Sequence, residues 1–193
     1  MLNSQYVINS EAIYEWSSRL YVFLDYMDGY EITNVIKDYN EHYSENFIKY
    51  SIYMVAKGLK DMHTMNILHR DIKSDNILCN RNGDIKVADL GLSVFLSEQQ
   101  AYRKTRAGTI NWMSPEIVKG TIYSKEVDIW AFGSYVYELG TGKPPFGQIR
   151  NNESLFNAIL NKPLPSVRHR SNKYNELLQW CMKKNPLERP TME

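Results

Sequence analysis

From Val127 to Leu139 the chain reads VDIWAFGSYVYEL, a run that is apolar nearly all round when wound at helical pitch. Such a helix has no face to offer water. Other elements must surround it, so it is expected at the centre of a domain, with Gly140 and Gly142 ending it. The 193 residues suffice for one well-buried core or two small ones. No internal repeat and no Ser/Gly/Pro-rich linker divides them. Leu20 to Leu24 is a short apolar run between polar residues, which predicts a buried strand, and Asp28-Gly29 predicts the turn after it. Ile48, Ile52, Val55, Leu59 and Met62 recur at four- and three-residue steps and predict an amphipathic helix from Phe47 onward. Ile77-Leu78-Cys79 and Ile85-Lys86-Val87 flank Asn82-Gly83 and predict a β-hairpin. Two later helices are expected near Ser154–Leu160 and Asn175–Lys183, with polar loops at 149–154 and 168–173. The balance is mainly α with a few strands near the N-terminus.

Charge excludes some partners. Twenty-three Lys and Arg oppose 22 Asp and Glu, so the whole-chain field gives no reason to expect nucleic acid or an anionic membrane surface. No apolar run reaches the length of a bilayer span, and the first residues lack the basic-then-apolar order expected of a signal peptide. Cys79 and Cys181 are too few for a disulfide framework; both are expected to be buried thiols in a reducing compartment, and the expected location is cytoplasmic.

The densest polar stretch lies between the amphipathic helix and the hairpin: His69-Arg70-Asp71-Ile72-Lys73-Ser74-Asp75-Asn76. Phosphoryl transfer needs a carboxylate to take or orient a hydroxyl proton, a lysine beside the moving phosphoryl group and an amide oxygen for a metal, all on one rigid loop. Asp71, Lys73 and Asn76 are of those types. After the hairpin, Ala88-Asp89-Leu90-Gly91 places a second acid at a strand end, where Asp89 could share one Mg²⁺ with Asn76. Gly142-Lys143 is no phosphate-binding P-loop, because Tyr137 and Pro144 stand where that motif requires Gly and Ser/Thr.

The order and separation of H-R-D-x-K-x-x-N and D-x-G resemble those of eukaryotic protein kinases. Downstream, Gly108 to Glu116 (GTINWMSPE) resembles the family's G-T-x-x-W-M-A-P-E segment. Asp128 to Gly133 resembles its D-x-W-x-x-G helix, and Arg189 stands where the family places the partner of Glu116. Lys73 followed by Ser74 resembles the serine/threonine enzymes. HRDIKSDNIL with GTINWMSPE is most similar to the p21-activated and germinal-centre kinases of the sterile-twenty group.

The resemblance implies an α+β, mainly α, kinase-like C-terminal lobe: residual N-lobe strands in 1–24, a hinge at 25–30, and the lobe from 31 to 193 with its final helix incomplete. It implies ATP and Mg²⁺ as cofactors, and transfer of the γ-phosphoryl group to Ser/Thr hydroxyls of protein substrates, with an upstream activating kinase or scaffold as a further partner. Asp71, Lys73 and Asn76 become catalytic, and Asn76 and Asp89 metal ligands. Leu24 takes the gatekeeper position, Asp25, Tyr26 and Met27 lie beside the adenine, and Leu78 is both core and adenine floor. Arg103 to Arg106 falls in the activation segment, with Thr105 its phosphosite and Arg70 the phosphate's partner. Thr109 positions substrate by bonding Asp71 and Lys73. His69, packed against Leu90 and bonded to backbone, is structural, as are Gly91, Asp128 and the Glu116–Arg189 pair. The sequence has neither G-x-G-x-x-G nor the V-A-I-K lysine. It therefore also admits a catalytically weak binding module that docks partners near Pro145-Phe146-Gly147, or a fragment of a longer chain.

Overall fold

The apolar run becomes α4 (Glu126–Thr141) of the computed structural model, which describes residues 3–39 and 44–192. Met1, Leu2 and Glu193, where the terminal expectations fall, lie outside the described residues. Ile129, Trp130, Tyr135, Val136 and Leu139 of α4 are at most 2% exposed, as an all-round apolar helix requires. It ends two residues later than the apolar run. Gly142 (φ 71°) makes the left-handed cap, whereas Gly140 stays inside the helix, where an added Cβ would meet the Tyr174 hydroxyl at 2.6 Å.

The chain order before α4 is β1 (Ser10–Trp16), β2 (Arg19–Leu24), β3 (Tyr30–Glu31), α1 (Ile32–Tyr39), α2 (Glu45–Thr64), β4 (Ile67–Leu68), β5 (Ile77–Cys79), β6 (Ile85–Val87), β7 (Val94–Phe95) and α3 (Pro115–Lys119). After α4 come α5 (Asn152–Asn161) and α6 (Asn172–Cys181). Ser44 caps α2 by accepting from the Phe47 N–H. The stripe Ile48, Val55, Leu59 and Met62 is buried. Ser51 on the same side bonds the Tyr135 hydroxyl of α4, so the amphipathic helix is pinned to the central one. The hairpin β5–β6 forms in the expected register, Ile77 opposite Val87, with Gly83 at φ 90°. The polar stretches expected as loops at 149–154 and 168–173 also hold helix starts: Asn151 and Ser171 cap α5 and α6 by accepting from Ser154 and Tyr174 N–H.

Three expectations are corrected. Leu20–Leu24 is a strand but not a buried one; Leu20, Val22, Phe23 and Leu24 are 47–66% exposed, because β1 and β2 form a two-stranded ribbon with no second layer over it among the described residues. Cys79 is half-buried, its thiol donating to the Tyr30 carbonyl, while burial pushes the Cys181 thiol up to about 12. Phe146, in the segment considered for docking, is 4% exposed with the Lys184 ammonium 5.8 Å from its ring centre, so this side chain is spent on the core. No helix among the described residues is long and apolar enough to cross a membrane.

Candidate active site

Between β4 and a 3₁₀ turn at Ser74–Asn76, the backbone is forced into an unusual path. Arg70 has φ 71°, a left-handed conformation disfavoured for a residue with a Cβ. What holds it is Asp128 on α4, fully buried. Its Oδ2 accepts from His69 N–H at 2.9 Å and its Oδ1 from Arg70 N–H at 2.8 Å, while His63 Nε2 on α2 lies 3.0 Å from Oδ2. Burial pushes this carboxyl up, but the hydrogen bond with His63, the electrostatic pull of the two imidazoles and the Arg70 N–H outweigh it and hold it below the usual carboxylate range. His69 accepts the Asp71 N–H on Nδ1 and so donates through Nε2 to the Ala88 carbonyl at 2.9 Å. Its ring bridges the loop to the strand end before Asp89.

Asp71, thus aimed, is 6% exposed and meets four donors. Thr109 N–H and Oγ1–H reach Oδ1, both at 2.7 Å; Lys73 Nζ and Asn76 Nδ2 reach Oδ2, both at 3.0 Å. Burial raises the carboxyl's proton affinity, yet the Thr109 hydroxyl, the Lys73 ammonium and the Thr109 N–H together hold it below the usual value, so it is ionised at neutral pH. Lys73 also donates to Thr109 Oγ1 at 2.8 Å, closing a triangle of Asp71, Lys73 and Thr109. The approach of the segment carrying Thr109 depends on Gly108. At φ 102° it lies so close to Arg70 that a Cβ would come within 2.5 Å of the Arg70 carbonyl oxygen.

Asn76 donates through Nδ2 to both the Asp71 carbonyl (2.8 Å) and Oδ2, which turns its Oδ1 away as the free lone-pair atom. Asp89, also at positive φ (58°), is exposed and accepts the Gly91 N–H on Oδ1. No cluster of three or more His, Cys, Asp or Glu suited to a metal occurs among the described residues. An amide oxygen and a carboxylate fit Mg²⁺, which keeps water and phosphate oxygens in its shell.

Asp89, Leu90 and Gly91 line a cleft of about 530 Å³ whose opposite wall is the β1–β2 ribbon, with Ile13, Val22 and Leu24. Of the residues expected near adenine, Leu24 borders this space. Asp25 does not, because its carboxylate is committed elsewhere: Oδ2 accepts from Lys86 Nζ at 2.6 Å and from the Asn9 N–H and Nδ2 at 3.1 Å. The Lys86 bond and charge, with the Asn9 N–H, hold Asp25 below the usual carboxylate range. Tyr26 is 88% exposed, Met27 is half-buried, and Leu78 faces Lys86 and Glu31 across the small sheet. Leu90 is 39% exposed and lines the cleft.

Thr105 is exposed on the loop joining β7 to α3. Arg70 reaches toward it through Tyr123, whose hydroxyl accepts from Arg70 Nη1 (3.3 Å) and donates to the Thr105 carbonyl (2.7 Å). Arg70 Nε is already used by the Leu92 carbonyl at 2.6 Å. Farther out, Arg189 grips Glu116 of α3 through two bonds of 2.6 and 2.8 Å, both side chains nearly dry.

Sequence reasoning missed His63, Tyr123 and Glu138. His63 lies next to the last stripe residue of α2, and nothing in local spacing ties it to an aspartate 65 positions away. Glu138 did leave a signal: a lone carboxylate in an apolar helix must find donors.

The protein kinase domain family matches residues 1–193. Serine/threonine-protein kinase pakA of Dictyostelium discoideum is 33% identical over 191 residues, covering 97% of this chain and 16% of that protein. Serine/threonine-protein kinase cst-1 of Caenorhabditis briggsae is 32% identical over 191 residues, covering 97% of this chain and 38% of that protein. Serine/threonine-protein kinase SKM1 of Saccharomyces cerevisiae is 35% identical over 191 residues, covering 93% and 28%. The chain thus spans 16 to 38% of the length of these three relatives. With the matched family running through the loop, the strand-end acid and the ion-paired helix just described, the chain belongs to the protein kinase domain family.

Proposed function

We propose that the chain carries the catalytic loop of a serine/threonine protein kinase that transfers the γ-phosphoryl group of ATP to protein hydroxyls. One observation carries the reading: Lys73, Asn76 and Thr109 converge on the single ionised carboxylate of Asp71. Asp71 has all four of its lone-pair directions filled, so a substrate hydroxyl binds by exchanging with one donor. Held below the usual carboxylate range, Asp71 is too weak a base to strip an alcohol beforehand. It orients the hydroxyl and takes the proton as the bond to phosphorus forms. Lys73 faces the same point and balances charge on the moving phosphoryl group. Asn76 Oδ1 and Asp89 would hold Mg²⁺, which when bound neutralises phosphate charge. Leu24 borders the cleft where the nucleotide would lie; Met27, Tyr26 and Leu78 supply its adenine side in this reading, and Asp25 acts as a latch between the ribbon and β6. Protein substrates follow from the same reading, as does an upstream kinase or scaffold acting on the Thr105 loop.

Titration of Mg²⁺ with a non-hydrolysable ATP analogue tests the metal assignment. Wild type should bind nucleotide in a metal-dependent manner and Asp89→Ala should lose that dependence; equal affinity in both would remove Asp89 from the site.

Thr105 supplies a second test. A phosphate there carries about −1.5 to −2 charges and would draw the Arg70 fork away from Tyr123, ordering the segment against the loop that bears Asp71. Thr105→Ala in the intact protein should lower activity about tenfold or more with unchanged melting temperature. Full activity of protein shown by mass spectrometry to lack phosphate on this loop would end the proposal.

A further inference from the structure

Glu138 is 6% exposed in the last turn of the apolar helix α4, and its donors come from the catalytic loop. Ser74 Oγ donates to Oε1 at 2.7 Å, and the Ser74 N–H points to Oε2 at 3.4 Å. Ser74 has one hydroxyl proton and gives it to Glu138, so the 2.5 Å contact with Thr33 Oγ1 is filled by the Thr33 proton. A buried relay therefore runs from α1 through the loop to α4. Ser74 opens the 3₁₀ turn that Asn76 closes, and Asn76 is the residue that clamps Asp71.

We propose that Glu138 is a positioning residue for phosphoryl transfer: its ionised carboxylate fixes the Ser74–Asn76 turn and so the angle at which Asn76 holds Asp71. The inference rests on the kinase reading. Protonation reverses the relay. A neutral acid becomes a donor, Ser74 must turn its proton to Thr33, and the Ser74 N–H loses its anionic acceptor.

The switch falls in the neutral range. Burial pushes Glu138 up to about 7, with Asp75 adding to the rise and the Ser74 hydroxyl, the Ser74 N–H and Trp112 opposing it. Those are the groups that face it: Ser74 and Asp75 from the turn, Thr33 behind Ser74 from α1, and the indole of Trp112, whose Nε1 completes no hydrogen bond. The signs separate two roles. The proton affinity of Glu138 is raised above its ordinary 4.5, so the stability that the proton contributes is full below pH 4.5 and gone above about 7. Stability alone favours the protonated acid, whereas the positioning role requires the ionised one.

The test follows the Asn76 side-chain amide by ¹⁵N NMR in the 193-residue chain between roughly pH 6 and 8.5. In wild type the signal should shift with a midpoint near 7, and in Glu138→Gln the shift should vanish while the variant melts no lower than wild type at the alkaline end. Ser74→Ala, which cuts the relay but leaves Glu138 in place, should also uncouple Asn76. In the intact protein kcat should rise through the same midpoint, and Glu138→Gln should flatten that rise and lower the alkaline kcat about 10- to 100-fold. An Asn76 signal that ignores pH in wild type, or follows it equally in Glu138→Gln, overturns the positioning role whether or not the protein turns over. An Asn76 signal that behaves as expected in a protein without phosphoryl transfer would instead overturn the kinase reading alone.

Discussion

Replacing Asp71 by Asn is expected to lower phosphoryl transfer about 10²- to 10⁴-fold, the usual contribution of a positioned proton acceptor, without unfolding the protein. The argument lies in which bonds the amide can keep. Its oxygen can still accept from the Thr109 N–H and hydroxyl, so the loop and the segment carrying Thr109 stay joined. Its NH₂ group, however, would then face the Lys73 ammonium and the Asn76 amide, and three donors would meet where an anion stood. Lys73 loses the charge that holds it beside the moving phosphoryl group. The hydroxyl of a substrate loses its proton acceptor. Turnover with Mg²⁺, ATP and a basic protein acceptor should collapse while nucleotide affinity changes little, because the atoms proposed for the metal, Asn76 Oδ1 and Asp89, are untouched. Activity within about threefold of wild type would mean that Asp71 only braces the loop.

How far such a site can be foreseen depends on what the residues depend on. The helix from Val127 to Leu139 was legible because its burial is written into every position. The amphipathic helix and the β5–β6 hairpin were legible because period and turn chemistry are local signals. Asp71, Lys73, Asn76 and Asp89 stood out as polar density between apolar elements and through their resemblance to a family pattern. The two short helices α1 and α3 did not stand out. α1, with Ile32, Val35 and Ile36, lacks the length for a period to declare itself, and α3 is a single turn started by Pro115. The exposure of β2 was misread for a different reason: an apolar strand reports what it could pack against, not whether a second layer is there. Asp25 shows the same limit for a side chain. Its neighbours in sequence suggest a nucleotide wall, while its charge is settled by Lys86, 61 positions away. The contacts that set Asp128, Glu138 and Arg70 also join distant segments, which no single window of the sequence contains.

The largest stability effect is expected at Glu116 and Arg189. The guanidinium is fully enclosed: Nη1 and Nη2 hold the carboxylate at 2.6 and 2.8 Å, Nη1 also reaches the Glu126 carbonyl, Nε reaches the Lys183 carbonyl, and the Trp130 ring lies 5.2 Å from Cζ. Glu116→Gln preserves shape and leaves the Arg189 charge in that enclosure with no counter-charge, a defect that typically costs about 3 to 5 kcal/mol. For a chain of this size that corresponds to a melting temperature lower by roughly 6 to 20 °C in a thermal unfolding scan. Arg189→Met should do similar harm by stranding Glu116 instead. Combining Glu116→Leu with Arg189→Met removes both charges and should recover much of the loss, since the penalty belongs to the unpaired ion rather than to the missing bond. The site should register the break as well. Glu116 lies in the first turn of α3, four residues after Trp112 and seven after Thr109, so loosening α3 releases the segment that carries Thr109 onto Asp71. Hydrogen exchange of the Thr109 N–H should therefore speed up in either single variant below its melting point and return toward the wild-type rate in the double variant. A single variant that melts within about 2 °C of wild type, with the Thr109 amide still protected, would show that this pair is a passive packing contact.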